Sequence, residues 1–208
     1  LSEDDLKRND MYRANAQRAK AQSRFADYHD YLLSLEMTAE IGDFSPLYLQ
    51  RITQLTNKSN QFNLTTKRYT AEQMEAVYNS DEYIRLYGKL YDKFGDNGVV
   101  AVTIGKTDSE DKGRLDIELW LMSCRVLKRD MELAMLDSLV AQAKKRGIRE
   151  IYGHYYPTAK NKMVAGLYES FGFEKISQDE EGNTAWRLLV EGYEDKNTVI
   201  KVKEVHYA

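Results

Sequence analysis

The sequence predicts an α+β fold: a mixed, mostly antiparallel sheet flanked by helices on both faces. Three observations carry that reading. Residues 83–94 alternate with a period of two and are followed by a second apolar run, Val99 to Ile104. The Gly95-Asp96-Asn97-Gly98 stretch between them has the composition of a tight hairpin turn. Residues 114–122 alternate as well, with Leu115, Ile117, Leu119 and Leu121 against Asp116, Glu118, Trp120 and Met122. Residues 131–146 instead place Met131, Met135, Leu136, Leu139, Val140 and Ala143 on one helical stripe that stops at Gly147.

The other elements follow in order. Ser2-Glu3-Asp4-Asp5 has the form of a capping box and opens a charged helix to about Ala26. A second helix runs from about Ala26 to Leu35, and Met37 to Phe44 alternates as a first strand. Pro46 suits the first turn of a helix that begins at Leu47. Thr70 with Gln73 caps a short helix to Val77. Residues 149–156 read as a strand, 160–171 as one helix closed by Gly172, and 173–176 and 185–190 as two last strands. From Asp195 onward either a strand or a tail fits. A strand, two helices and a run of three antiparallel strands, followed by a helix, a strand, a helix and two strands, argue α+β with helices on both faces.

Composition narrows the function classes. The 208 residues are 42% hydrophobic and 30% charged, as in ordinary globular domains. A formal net charge of -3 gives no electrostatic support for general nucleic-acid binding. No run of about 18 apolar residues occurs, so no membrane span is expected. A lone cysteine, Cys124, excludes an internal disulfide, and three scattered histidines argue against a structural zinc site. With no signal-peptide pattern, a cytoplasmic setting is expected. The chain opens on Leu1, directly into a charged helix. Residues 1–36 are therefore expected to be a helical segment ending a missing upstream domain, and residues 37–208 the main domain.

The chemistry centres on Cys124-Arg125-Val126-Leu127-Lys128-Arg129-Asp130, a basic turn between the strand at 114–122 and the helix at 131–146. A helix N-terminus offers unpaired backbone N–H groups, and two or three cations beside it would hold a phosphate. Cys124 has two readings: a thiolate nucleophile favoured by positive surroundings, or a small buried residue at a strand end. Glu118 is a general base or a solvent-facing carboxylate, and His154 a catalytic group or a hydrogen-bonded rim residue. The polar stretch 57–69 contains Asn60, Gln61, Asn63 and Arg68. Those side chains would suit a polar ligand, or would stitch a solvated loop to its own backbone.

The element order and the basic turn resemble the Gcn5-related N-acetyltransferase (GNAT) fold over roughly residues 37–190. That family's signature is Arg/Gln-x-x-Gly-x-Gly/Ala. Here Arg125 matches, while Lys128 and Asp130 stand where the glycines belong. Asn161 and Leu167-Tyr168-Glu169-Ser170-Phe171-Gly172-Phe173 resemble the family's downstream block. The resemblance implies a coenzyme A or phosphopantetheine site formed by Arg125, Val126, Lys128, Arg129 and Asn161. It implies Tyr168 as the acid that protonates the departing thiolate, and a carboxylate such as Glu118 as base. The sulphur is expected to sit between the two neighbouring strands.

Longer stretches resemble the C-terminal part of FkbH-like proteins: Gln50 to Tyr69, Asp92 to Gly98 and Ser123 to Leu127. Glu3-Asp4-Asp5, Arg8 and Tyr12 look like the end of the upstream domain of those proteins. That family joins a haloacid-dehalogenase-type phosphatase to an acetyltransferase-like domain. The resemblance implies an acyl carrier protein as partner, an upstream phosphatase domain, and Mg only in that missing domain. It implies an acyl-transfer module that moves a small hydroxyacyl, glyceryl-type group to or from a phosphopantetheine or coenzyme A thiol. The alternative is a non-catalytic substrate-specificity or assembly domain of the phosphatase.

Overall fold

A computed structural model describes residues 2–205. Eight strands form one sheet, β1 (Met37–Gly42), β2 (Tyr83–Asp92), β3 (Gly95–Thr107), β4 (Arg114–Met122), β5 (Glu150–Tyr155), β6 (Glu174–Gln178), β7 (Thr184–Leu189) and β8 (Ile200–Val205). Their spatial order is β6-β7-β5-β4-β3-β2-β1-β8. Only β1–β8 and β4–β5 are parallel; the other pairs are antiparallel. The predicted α+β class holds, and the segment after Asp195 supplies an edge strand.

Helices cover both faces. α5 (Met131–Lys145) sits over one, sharing a core with α2 (Tyr28–Ser34) and α6 (Leu167–Ser170). α3 (Pro46–Lys58) and α4 (Ala71–Tyr78) cover the other, with Ile52, Leu55, Met74 and Val77 against Tyr87, Val102 and Ile104. The capping box expected at α4 is formed, with Thr70 and Gln73 bonded reciprocally. α1 (Glu3–Gln22) is tied to the sheet by Arg18, whose guanidinium donates to Asp92 at 2.5 and 2.9 Å. That pair is buried on both sides.

Three local expectations need correction. First, β4 does not keep one phase. Ile104 of β3 pairs with Leu119 and Gly105 with Ile117, so Glu118 is an extra residue, a β-bulge. The bulge swaps faces. Leu115 and Ile117 join Trp120 and Met122 under α5, whereas Leu119 and Leu121 face α3 and α4. Second, the β2–β3 turn falls at Lys93–Phe94, not at residues 95–98, because Asp92 pairs with Gly95. Asp92 Oδ1 accepts from the Phe94 and Gly95 N–H groups and so shapes the turn itself. Gly98, at φ +70°, absorbs a register shift further along. Third, residues 160–171 are not one helix. A 3₁₀ turn at Lys162–Val164 and the short α6 are separated at Gly166.

Strand β4 and its parallel neighbour β5 position Asp116, Glu118 and His154. They pair only from Arg114 to Asp116 against Glu150 to Tyr152, then part. The remaining six residues of β4, 117–122, have no β5 partner.

Candidate functional site

The gap between β4 and β5 is filled by this chain. Residues 62–64 run into it as a wedge. Met122 N–H donates to Phe62 O at 3.0 Å and Leu64 N–H to Trp120 O at 3.0 Å. On the far side Tyr156 N–H donates to Leu64 O at 2.9 Å. Asn63 pairs with Leu121 as an isolated antiparallel bridge. Phe62, Asn63 and Leu64 are all buried. Backbone groups left open by the parting strands are thereby satisfied, which removes a cost of about 1–3 kcal/mol for each buried group otherwise unpaired.

Asn161 latches the wedge. Its Nδ2 donates to Asn63 O at 2.9 Å and Tyr156 O at 3.0 Å. Its Oδ1 accepts from Thr158 N–H at 2.7 Å and the Tyr155 hydroxyl at 3.3 Å. Asn161 is fully buried, so no polar atom of its side chain is spare for a cofactor. Tyr168 is fully buried too, its ring packed so closely on Gly153 that an added Cβ there would collide with Cε1. Trp120 meets it edge-on with centroids 6.3 Å apart, and Phe173 lies at 5.0 Å. Burial holds its phenol well above the ordinary value, so it stays protonated.

The basic turn takes left-handed backbone at two residues that are not glycine. Lys128 and Asp130 occupy the expected glycine positions and still take φ +64° and +66°, the left-handed region that favours glycine. The expected convergence of cations on the α5 N-terminus does not occur. Arg129 is buried against Asp92 at 3.6 Å. Arg125 turns toward α1, where its Nη1 meets Met11 Sδ at 3.3 Å. The Lys128 carbonyl accepts from the Tyr28 hydroxyl. Val126 is fully buried. Asp130 and Glu132 flank the start of the helix, and burial pushes both carboxyls up. An anion there would meet these two carboxyls, while Arg125 and Arg129 are engaged elsewhere.

Cys124 is exposed, which removes the small-buried-residue reading. Its Sγ lies 3.2 Å from Gln61 Oε1. Elsewhere in the polar stretch the side chains bond mainly within the loop. Asn63 Nδ2 donates to Ser59 O at 3.1 Å, and its Oδ1 accepts from Thr66 N–H at 2.9 Å. Arg68 donates to the Thr56 and Ser59 carbonyls at 2.6 and 2.9 Å and also to Asn60 Oδ1.

Glu118 and His154, distant in sequence, come together in one cleft of about 480 Å³, also lined by Thr65, Lys67, Asp116 and Tyr156. His154 Nε2 lies 2.7 Å from Asp116 Oδ1. Arg114 clamps the same carboxylate with two bonds of 2.9 Å. Burial alone would raise the Asp116 carboxyl, but the hydrogen bonds and charges of His154 and Arg114 outweigh it and hold it below its ordinary value. With Asp116 ionised, Nε2 carries the shared proton, and Nδ1 of a neutral ring is left as an acceptor. On the opposite wall Lys67 Nζ lies 3.2 Å and the Tyr69 hydroxyl 3.3 Å from Glu118 Oε2. Burial, then the Glu118 charge and hydrogen bond, keep the Tyr69 phenol protonated as a donor. Thr65 Oγ1 donates to the bulged Glu118 carbonyl at 2.6 Å.

The four expected catalytic residues therefore fall in three places. Glu118 and His154 share a cleft. Cys124 lies six residues beyond Glu118, on the order of 20 Å along an extended chain, and Tyr168 is sealed in the core. Sequence reasoning overlooked Asp116 as the partner of His154, and Lys67, Tyr69 and Thr65 as partners of Glu118. The only available signal was the parallel register that sets Asp116 opposite Tyr152. Among the described residues no group of three or more His, Cys, Asp or Glu side chains is placed to hold a metal. No helix there is long and apolar enough to cross a membrane.

The sequence matches no protein-family model, and no curated protein is significantly similar to it. Solved structures are similar in fold. The ribosomal-protein-S18-alanine N-acetyltransferase from Escherichia coli superposes with a TM-score of 0.55 at 14% identity, covering 77% of this chain and 99% of that one. An acetyltransferase from Thermus thermophilus gives 0.56 at 13% identity, covering 73% and 97%. The yncA protein of Salmonella typhimurium, solved with its cofactor acetyl-CoA, gives 0.55 at 14% identity, covering 76% and 96%. The chain thus has the fold of GNAT-type acetyltransferases. The residues present do not fit a pantetheine arm between β4 and β5, because residues 62–64 already hold the backbone groups such an arm would use.

Proposed function

We propose that this domain is a substrate-specificity and assembly module with a GNAT fold, the C-terminal portion of an FkbH-like protein. In this reading it recognises a small hydroxyacyl, glyceryl-type group and leaves the group transfer to other parts of the assembly. The observation that carries it is the wedge: Phe62 and Leu64 pair with β4 where a pantetheine arm would have to pair. The cleft of Asp116, Glu118, Lys67 and His154 suits the recognition. Its carboxylates and the free Nδ1 of His154 accept from vicinal hydroxyls, and its ammonium meets a carbonyl or carboxylate. An upstream Mg-dependent phosphatase domain and an acyl carrier protein are the partners this reading assigns, in a cytoplasmic setting. The resemblance of residues 50–69 and 92–98 to FkbH-like proteins supports that assignment.

Acyl transfer by the domain itself is the second reading, and the exposure of Cys124 beside Gln61 favours it. Incubation with a labelled glyceryl donor and mass spectrometry of the intact chain separates the two. The module reading expects no covalent glyceryl adduct on the wild type. An adduct on the wild type that is absent from Cys124→Ala would replace it with the transfer reading.

A further inference from the structure

We infer that the cleft between α1 and the β2–β3 hairpin is a binding site for a phosphate-bearing anion, gripped by Arg51 and Arg125. The cleft encloses about 740 Å³, and both guanidinium groups line it. The inference is independent of the function proposed above.

The argument is one of uncompensated charge. The Arg51 side chain has no hydrogen bond or ion pair among the described residues. Half-buried Arg125 has no carboxylate partner among the described residues either. Its Nε is 3.2 Å from the hydroxyl of Ser123, and its Nη1 is 3.3 Å from the Met11 thioether, a weak acceptor. Burial and the neighbouring Arg51 charge both pull the Arg125 guanidinium below its ordinary pKa. Holding two like charges close and partly out of water costs free energy, and a bound anion would recover it. The other arginines here are matched: Arg18 to Asp92, and Arg13 to Asp10 at 3.8 Å. The remaining carboxylate of the cleft, Asp96, accepts from Gly98 N–H at 2.6 Å.

The chemistry selects phosphate. Two guanidinium forks offer paired N–H donors that match a dianion's oxygens, and arginine binds phosphate in two-toothed fashion. The volume admits a phosphorylated small molecule rather than a bare ion alone. None of residues 126–131 lines this cleft, so it is separate from the backbone amides at the start of α5.

The test uses the whole chain and inorganic phosphate, against chloride at equal ionic strength, read by thermal denaturation and calorimetry. Wild type is expected to gain stability saturably with phosphate. Arg51→Gln should weaken that binding by about tenfold or more, the loss expected for a charge-assisted hydrogen bond. Without phosphate the same substitution should leave the melting temperature unchanged or higher, since it relieves repulsion. Arg13→Gln should bind phosphate as the wild type does. A wild type that phosphate stabilises no more than chloride would overturn the inference. So would an Arg51→Gln chain that keeps the full phosphate response.

Discussion

Asn161→Ala tests the latch directly. Asn161 makes four hydrogen bonds with its side chain, to Asn63 O and Tyr156 O and from Thr158 N–H and the Tyr155 hydroxyl. Those involving Asn63 O and the Tyr155 hydroxyl lie in fully buried surroundings. Each stranded group costs about 1–3 kcal/mol. The other two are only partly buried and cost less. The sum is about 3–4 kcal/mol, which for a chain of this size lowers the melting temperature by roughly 10 °C. Urea unfolding followed by tryptophan fluorescence measures it, since Trp120 lies in the core beside the wedge. Hydrogen exchange adds the spatial test. The amides of Leu64, Met122 and Tyr156, which hold the wedge, should exchange sooner than those of β2 and β3. A loss below about 1 kcal/mol, or unchanged exchange at those three amides, refutes the latch.

Gly153→Ala should destabilise by about 1–3 kcal/mol, because the new methyl would meet the Tyr168 ring, and urea midpoints measure it. Asp92→Asn strands the buried Arg18 and Arg129 guanidinium groups and should cost about 3–5 kcal/mol by the same assay. Asp116 has a depressed carboxyl pKa in the folded chain. Its stabilising contribution is therefore complete above the ordinary carboxylate value and fades as pH falls through the lower folded-state value. Asp116→Asn should accordingly be less stable than wild type near neutrality, with the difference shrinking on acidification below about pH 4. An unchanged difference across that range would contradict the clamp. Cys124 should react with iodoacetamide in the folded chain, whereas resistance until unfolding would contradict its exposure.

Much of the fold was legible because periodicity is a local signal. The apolar stripe from Met131 to Ala143 produced α5, and the Thr70–Gln73 pair produced a capping box. The bulge at Glu118 was not legible, since one extra residue leaves the local alternation intact and shows only against the partner strand. The hairpin turn was misplaced because Gly95 to Gly98 carries glycines, while the turn is shaped by the Asp92 carboxylate. Helix-like spacing from Lys160 to Phe171 hid a break, because Asn161 directs its side chain inward to backbone groups distant in sequence. The wedge was the largest omission. Asn60, Gln61, Asn63 and Arg68 read as loop stitching on residue type and as ligand groups by their polarity, and only tertiary structure shows what Asn63 and Arg68 bond.

Crystals of the whole chain grown or soaked with coenzyme A put the closed gap to the most direct trial. The expected result is residues 62–64 still paired with β4, the Asn161 side chain still bonded to Asn63 O, and no pantetheine density between β4 and β5. An arm seated between those strands, with the wedge displaced, would contradict it and return the chain to coenzyme-dependent chemistry.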